Sequence, residues 1–340
     1  MTDGQCTSRG EPSRCSRLAL VAGMLVIYVV WGSTYLAIRW GVETMPPFLM
    51  AGARFLLAGG ILYAWLRLRG APRPELADWK SAVFLGALLL LGGNGLVTWA
   101  EQWLPSGVAA LIITTTPLWM MLFDWLIFHG PRPRAVVWLG VALGFVGVTL
   151  LIQPQAADDG APRLWAVLAM CAAPVVWSLG SLFSQRARRL DPPLLNTSLQ
   201  MLCGGGLMFV VGLGLGEAGN FDPAAVSTRS WLSFAYLVTF GSLLAFTTYM
   251  WLLRVARPSV VSTYAYVNPL VAVFLGAAIG GEVLTANVGL ATVLILGAVA
   301  LIAIRRRSPK PTILKSEALE PRAANEAAAR AKVRLAQCKG

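Results

Sequence analysis

Charged side chains are scarce in this sequence of 340 residues: they make up 13% of the chain, and hydrophobic residues make up 56%. Soluble domains average about 25% charged residues, so most of this chain has no water-facing surface to cover. Histidine occurs once, and the five cysteines show no CxxC spacing, so we expect neither disulfides nor a metal site. The sequence also has no GxxxxGK[ST] phosphate-binding loop, so we expect neither ATP-driven chemistry nor a bound cofactor.

Long apolar runs make up most of the sequence, and its mean hydropathy is +0.65. A helix needs roughly 20 apolar residues to cross a bilayer core of about 30 Å. Ten such spans are predicted, at 18–38, 47–66, 81–100, 106–127, 135–152, 164–185, 194–215, 231–252, 259–281 and 286–304. The connections are too short to hold a soluble catalytic domain. The predicted fold class is therefore an all-α integral membrane protein.

The net charge of +12 follows the order of the spans. With the N-terminus inside, arginine and lysine cluster on every cytoplasmic segment, and the opposite side holds only Arg39, Arg163 and Arg229. This asymmetry obeys the positive-inside rule. It predicts that both termini are cytoplasmic, and it explains the basic charge without a nucleic-acid partner.

The two halves of the chain resemble each other at an offset of 146 residues. Val29-Val30-Trp31 aligns with Val175-Val176-Trp177, and Gly59-Gly60 aligns with Gly205-Gly206. Each half has five predicted spans, an odd number, so the second half would enter the membrane upside down. Inverted repeats recur in secondary transporters, whose binding site lies near the midplane between the halves.

The predicted organisation follows from this repeat and the spans. It comprises a cytoplasmic N-terminal tail (1–17), a first repeat (18–152), a second repeat (164–304) and a basic cytoplasmic C-terminal tail (305–340). The first apolar run is too long for the core of a signal peptide, so we expect it to remain as the first span.

Pro117 and Pro269 lie near the middle of the fourth and ninth spans. A proline removes an amide donor and frees the carbonyl four residues earlier, here that of Ile113 or Ala265. Within lipid such a carbonyl needs another partner or a water-lined cavity. A satisfied kink and a gating hinge both fit, and the repeat-related placement favours gating.

Polar and aromatic side chains interrupt the same apolar runs. Tyr264 and Asn268 are four residues apart and share a helix face. The alternatives to a binding role are packing for the tryptophans and bonds to their own helix for the hydroxyls. The residues expected to line a cavity in these runs are Trp31, Tyr35, Thr115, Trp177, Ser181, Tyr264 and Asn268.

Arg54 lies seven residues past Pro47, which is about 10 Å below the outer surface at 1.5 Å per residue. A buried arginine costs at least ~2.5 kcal/mol on insertion scales, so it marks a site with a partner. We expect Thr98 at a similar depth, Asn94 deeper and Glu101 nearer the surface, as the counter-ion. A structural Arg–Glu clamp and an outward-reaching arginine are the alternatives.

Glu282 closes the ninth span as Glu101 closes the third, and we expect both carboxylates at the interface and assign them to gating or charge pairing. Protons are a candidate coupling ion, although the sequence places no carboxylate near the midplane.

Several of these motifs resemble those of the EamA family within the drug/metabolite transporter superfamily. The resembling stretches include Trp31-Gly32-Ser33-Thr34-Tyr35, Arg54-Phe55, Gly93-Asn94-Gly95 and Tyr264-Ala265-Tyr266-Val267-Asn268-Pro269. The resemblance runs from about Leu18 to Ile304. It implies ten helices arranged as two inverted five-helix units around a central cavity, with alternating access. It also implies export of amino acids, toxic compounds or metabolites across a bacterial inner membrane.

The leading hypothesis is a secondary transporter that exports a small molecule, with the substrate and the lipid bilayer as its partners. A membrane sensor or scaffold with the same fold is the alternative. An intramembrane enzyme would need a nucleophile–base pair or a metal cluster within the slab, which the sequence does not offer.

Overall fold

The computed structural model is helical and contains no strand in the residues that it describes, which are 14–130, 164–187, 190–256, 258–261, 263–304 and isolated positions between 132 and 150. The predicted fifth span and most of both predicted tails lie outside these residues. The helices are α1 (Arg14–Gly41), α2 (Pro47–Leu68), α3 (Leu76–Ala100), α4 (Ser106–Phe128), α5 (Leu164–Arg186), α6 (Pro193–Gly214), α7 (Thr228–Val255), α8 (Tyr264–Ala278) and α9 (Ala286–Ile304).

Seven of the described helices, α1 to α7, are long and apolar enough to cross a membrane. They cover the first to fourth and the sixth to eighth predicted spans. The ninth predicted span is divided into a single turn, Pro258–Val261, and α8, whose apolar part is Val267–Ala278. The tenth corresponds to α9. The count of ten therefore stays a prediction.

The surface of the bundle is apolar, as expected for helices in contact with lipid. On α1 the exposed side chains include Leu25 and Val29, and on α8 and α9 they include Phe274 and Val293. The polar side chains turn inward instead: Arg54, Glu101, Ser178 and other polar residues are almost fully buried. This is the reverse of a soluble protein and follows from the lack of water in the bilayer core.

Two helices contain a central stretch in which the backbone bonds to the fifth residue instead of the fourth. These π-helical stretches are Ala87–Gly95 in α3 and Leu237–Phe246 in α7. They occupy the third predicted span of each half of the chain. Such stretches concentrate at functional sites, and composition alone predicted only regular helices here.

Helices α2 and α6 cross at glycines, and their backbones nearly touch. A Cβ atom added at Gly59 would lie 2.8 Å from the Cβ of Met201 and 2.9 Å from the amide nitrogen of Leu202. A Cβ added at Gly205 would lie 2.8 Å from the amide nitrogen of Leu56. Lipid supplies no hydrophobic force between helices, so close packing over small residues holds such pairs together.

Replacing Gly59 with alanine is expected to destabilise the protein by about 1–3 kcal/mol, because the new methyl group collides with the backbone of α6. The matched control is Gly60→Ala on the same helix, where a Cβ atom meets nothing within 4 Å. Thermal unfolding of the purified protein in detergent measures both. Equal melting temperatures for the two variants would contradict the close crossing of α2 and α6.

Candidate functional site

Four aromatic side chains from four different helices meet in the interior. Trp31 of α1 lies with its ring centroid 4.8 Å from that of Tyr249, 5.2 Å from that of Tyr264 and 5.7 Å from that of Trp177. All four are buried. The cluster therefore joins α1, α5, α7 and α8 in the interior.

The two tryptophans of this cluster each lie against a glycine in a π-helical stretch of the opposite half. The indole nitrogen of Trp31 lies 3.4 Å from the carbonyl oxygen of Gly241 in α7. A Cβ atom at Gly93 in α3 would lie 2.6 Å from Cε3 of Trp177. The missing side chain of Gly93 therefore provides space for the Trp177 ring, whereas Trp31 bonds the backbone of Gly241.

A cavity of about 60 Å³ adjoins the cluster, which is enough for a few water molecules. Seven of the ten predicted lining residues border it: Trp31, Tyr35, Arg54, Asn94, Trp177, Tyr264 and Asn268. The border also includes Thr34, Gly93, Ile113 and Thr116. Val97, Ala173 and Pro174 border it too, and the sequence did not single these out. The wall is mainly aromatic and aliphatic, with a few convergent polar groups, as is typical of small-molecule sites.

Thr98, Thr115 and Ser181 were predicted to line this cavity and do not border it. The Thr98 hydroxyl donates to the carbonyl of Asn94, and the Thr115 hydroxyl donates to that of Ile112. The Ser181 hydroxyl bonds the carbonyl of Trp177 and the Tyr249 hydroxyl. For such side chains the nearest acceptors are the carbonyl oxygens one turn back in the same helix. Each of these hydroxyls forms a bond of this kind.

Arg54 is 2% exposed, and its guanidinium is held on two sides. Its Nε donates to Ser242 Oγ at 2.7 Å, and its Cζ lies 4.6 Å from the centre of the Phe55 ring. Its Nη1 is buried and has no hydrogen-bond partner. The predicted contact with Glu101 is not formed, since both carboxylate oxygens of Glu101 also lack a partner.

Glu101 is fully buried, whereas the sequence placed it at the interface. Arg39 donates to the backbone carbonyl of Glu101 at 2.6 Å and does not bond its carboxylate. Burial raises the pKa of the Glu101 carboxyl well above its usual value and Glu282 raises it further, while Arg39 and Arg54 lower it. Without a donor to stabilise the anion, the environment favours the protonated carboxyl group.

Glu282 connects the end of α8 to the beginning of α4. Its Oε1 accepts from the amide and the hydroxyl of Ser106 at 2.7 and 2.6 Å, and its Oε2 accepts from the amide of Gly107 at 3.2 Å. The amides of the first helical turn lack partners within the helix, and a carboxylate there also complements the helix dipole. Gly276 leaves room for this carboxylate, because a Cβ there would lie 2.5 Å from its Oε2.

The predicted hinge prolines occupy different places in their helices. Pro117 stands in the first turn after a break in α4, between Ile113 and Thr116, whereas Pro269 lies inside α8. The Ile113 carbonyl, predicted to be unpaired, accepts the Thr116 hydroxyl at 2.6 Å. The freed acceptor in α4 is thus satisfied by a side chain at the edge of the cavity.

The side-chain amide of Asn268 donates mainly to backbone carbonyls of α1. With the amide nitrogen oriented to donate, it lies 3.1–3.3 Å from the carbonyl oxygens of Ile27, Tyr28 and Tyr264. Asn94 has the opposite character, because its Oδ1 is buried and has no partner. Of the two amides in the cavity wall, Asn94 therefore offers the unused acceptor.

Sequence reasoning missed Ser242, the partner of Arg54, and Tyr249, whose hydroxyl accepts from the Trp177 indole nitrogen at 3.2 Å. Both are polar residues within the apolar run of α7, and that signal could have found them. Their partners lie on α2 and α5, so only the packing of the helices identifies the contacts.

Glu282→Gln is expected to cost about 1–2 kcal/mol of stability, because it removes the charge that the first turn of α4 binds. Glu101→Gln is the matched comparison and should cost nothing or stabilise, because no donor stabilises that carboxylate. Thermal unfolding in detergent at neutral pH compares the two. A larger loss for Glu101→Gln than for Glu282→Gln would show that Glu101 has a partner.

Comparison with known proteins agrees with a transporter fold. A model of the EamA-like transporter family matches residues 18–153 and again residues 164–304. The uncharacterized inner membrane transporter YedA of Escherichia coli strain K12 is 38% identical over 288 residues, which span 84% of this chain and 91% of that protein. The uncharacterized transporter YvbV of Bacillus subtilis strain 168 is 25% identical and spans 87% of this chain and 94% of its own length.

A crystal structure also has a similar fold, with a TM-score of 0.60 over 86% of this chain and 99% of the other chain, at 23% identity. The two family matches together cover most of the sequence, and seven helices of the described part are long and apolar enough to cross a membrane. This chain is a membrane protein that belongs to the EamA-like transporter family.

Proposed function

We propose that this protein is a secondary active transporter that moves a small solute through the central cavity by alternating access. The single observation that carries the proposal is the cavity itself: it lies between the two halves of the chain, and both halves contribute wall residues such as Trp31 and Trp177. Two repeats that rock about such a site can expose it to each side of the membrane in turn.

Reciprocal contacts across the α2–α6 crossing support an inverted repeat. A Cβ atom added at Gly52 would lie 2.9 Å from the carbonyl oxygen of Gly205. At an offset of 146 residues, the partners of these positions are Ser198 and Gly59, and a Cβ at Gly59 would lie 3.1 Å from the carbonyl oxygen of Ser198. Pairs that exchange roles in this way are expected when two copies are related by a two-fold axis.

The bonds from Glu282 to the beginning of α4 fit a closed gate at one end of the cavity. They join the fourth and ninth predicted spans, one from each repeat, through hydrogen bonds that can break and form again. The positive-inside rule assigns this end to the outer side of the membrane. Export then requires the α4–α8 contact to open so that solute leaves and to close again behind it.

A non-transporting sensor or scaffold with the same fold is the alternative. It would keep the packing of α2 on α6 and the aromatic cluster, because both stabilise the bundle. It would not need the halves to move. Solute flux and its dependence on motion at the α4–α8 contact therefore separate the two functions.

Cross-linking tests the proposed motion in proteoliposomes made with a variant that lacks the five native cysteines. Gly107 and Val273 are suitable positions, because a Cβ at Gly107 would lie 3.1 Å from Cγ2 and 3.5 Å from Cα of Val273. In the Gly107→Cys, Val273→Cys double variant, oxidation is expected to abolish saturable flux, and a reductant should restore it. The locked contact prevents the outer end from opening.

Each single-cysteine variant serves as the control and should transport equally well before and after oxidation. Undiminished flux in the oxidised double variant would rule out opening at this contact. Flux that rises linearly with solute concentration would indicate a pore, and no flux of any solute would favour the sensor or scaffold.

A further inference from the structure

Two of the residues that line the cavity each have a buried polar atom with no hydrogen-bond partner. These atoms are Nη1 of Arg54, a donor with positive charge, and Oδ1 of Asn94, an acceptor. Buried polar atoms in proteins are nearly always bonded, so an unpaired pair in one wall requires an explanation. A ligand that supplies an acceptor to Arg54 and a donor to Asn94 would satisfy both.

The guanidinium of Arg54 is held in position before any ligand arrives. Ser242 accepts from Nε, Phe55 lies beneath the plane, and Gly241 leaves the space beside Nη2, where a Cβ atom would lie 2.7 Å away. A group fixed in this way loses little rotational freedom on binding, which favours affinity. Each of these contacts stabilises the orientation of the group and leaves its charge unneutralised.

The charge of Arg54 selects the sign of the ligand. Glu101 makes no ion pair with it, and both carboxylate oxygens of Glu101 have no partner. A buried cation without a counter-ion is costly, and an incoming anion removes that cost. A cationic solute would increase the cost of the buried charge, and a neutral solute would leave that cost unchanged.

The rest of the wall limits the anion to a single charge. Trp31, Trp177 and Tyr264 provide aromatic surfaces, and the other polar groups there, such as Asn268 and Thr116, already have partners. A second negative charge would be buried without a cation, so a dianion such as a phosphate monoester fits poorly. A carboxylate matches the forked geometry of the guanidinium, and its apolar portion fits the aromatic wall.

We infer that the solute of this cavity is a small organic monoanion whose carboxylate binds Arg54 and whose hydroxyl group donates to Asn94. The inference rests on the proposed function in that the bound anion is the transported one. Binding itself needs no transport, so the two can fail separately.

The test is binding to the purified full-length protein in detergent, followed as a shift in melting temperature against ligand concentration. The probes are matched pairs of equal size: lactate with lactamide, and phenyllactate with phenyllactamide. A third class, the amine 1-amino-2-propanol, carries the opposite charge. Saturable stabilisation is expected from at least one carboxylate, and its amide partner and the amine should give none.

Variants then assign the binding to the two residues. Arg54→Gln should weaken carboxylate affinity about tenfold to a hundredfold, the effect of losing a charge-assisted hydrogen bond. Arg54→Lys should retain part of the affinity, because it keeps the charge and loses the fork. Asn94→Leu should reduce the preference for lactate over propionate, which lacks the hydroxyl group.

The matched control is Gln200→Leu, at the position that corresponds to Arg54 in the second half of the chain. Gln200 is 2% exposed and does not border the cavity, so its replacement should leave carboxylate affinity unchanged. If Arg54→Gln does not fold, the comparison of acid with amide in the unmodified protein still decides the sign of the ligand.

Stabilisation by the amine or equally by the amides, or by none of the carboxylates, would overturn the inference. So would carboxylate binding that is unchanged in Arg54→Gln. Arg54-dependent binding of carboxylates without flux in proteoliposomes would support the anion site and overturn the proposed transport. Flux of neutral or cationic solutes alone would support the proposed transport and overturn the anion site.

Discussion

Close backbone packing between α2 and α6 is the contact on which the rest of the bundle depends. In lipid, apolar side chains gain nothing by leaving their surroundings for another helix, so association depends on how near the helices can approach. Gly52, Gly59 and Gly205 reduce the separation until backbone atoms of the two helices touch. That crossing brings the two halves of the chain together and sets the distance at which Trp31 and Trp177 can meet. The cavity is the space that remains beside them.

Arg54 shows how a buried charge can remain unneutralised in this setting. It lies on α2, between Gly52 and Gly59, so the same crossing that joins the halves also fixes its depth. Ser242 and Phe55 orient the guanidinium, and its charge remains available. The helix crossing and the proposed recognition of solute thus lie on one helix. A transporter needs both, because a rigid helix must hold a group that binds the solute reversibly.

The sequence predicted seven spans that the described helices confirm. It also predicted the aromatic residues at the centre and the burial of Arg54, because each leaves a local signal in an apolar run. It did not predict the partner of Arg54. Counting residues along α3 placed Glu101 nearby, but the contact depends on how α7 packs against α2. Ser242 stands out only as a polar residue in an apolar run, which does not name its partner. The π-helical stretches were missed for a related reason: Ala87–Gly95 has the composition of any apolar helix. Glu282 was expected at a gate. Its role as a cap for α4 depends on how the end of α8 packs against the beginning of α4, and the local sequence does not show this.

The π-helical stretches of α3 and α7 change which residues those helices present to their neighbours. A backbone that bonds five residues back winds more slowly than one that bonds four back, so each stretch shifts the angular phase of everything that follows it. The residues before and after the stretch therefore face directions that a uniform α-helix would not give them. A chain that lost one residue from Leu237–Phe246 would keep its length and hydropathy almost unchanged, yet its second half would be turned about the axis. Gly241 and Ser242 could then no longer both face the indole ring and the guanidinium, so the spacing within this stretch is as constrained as the identity of its residues.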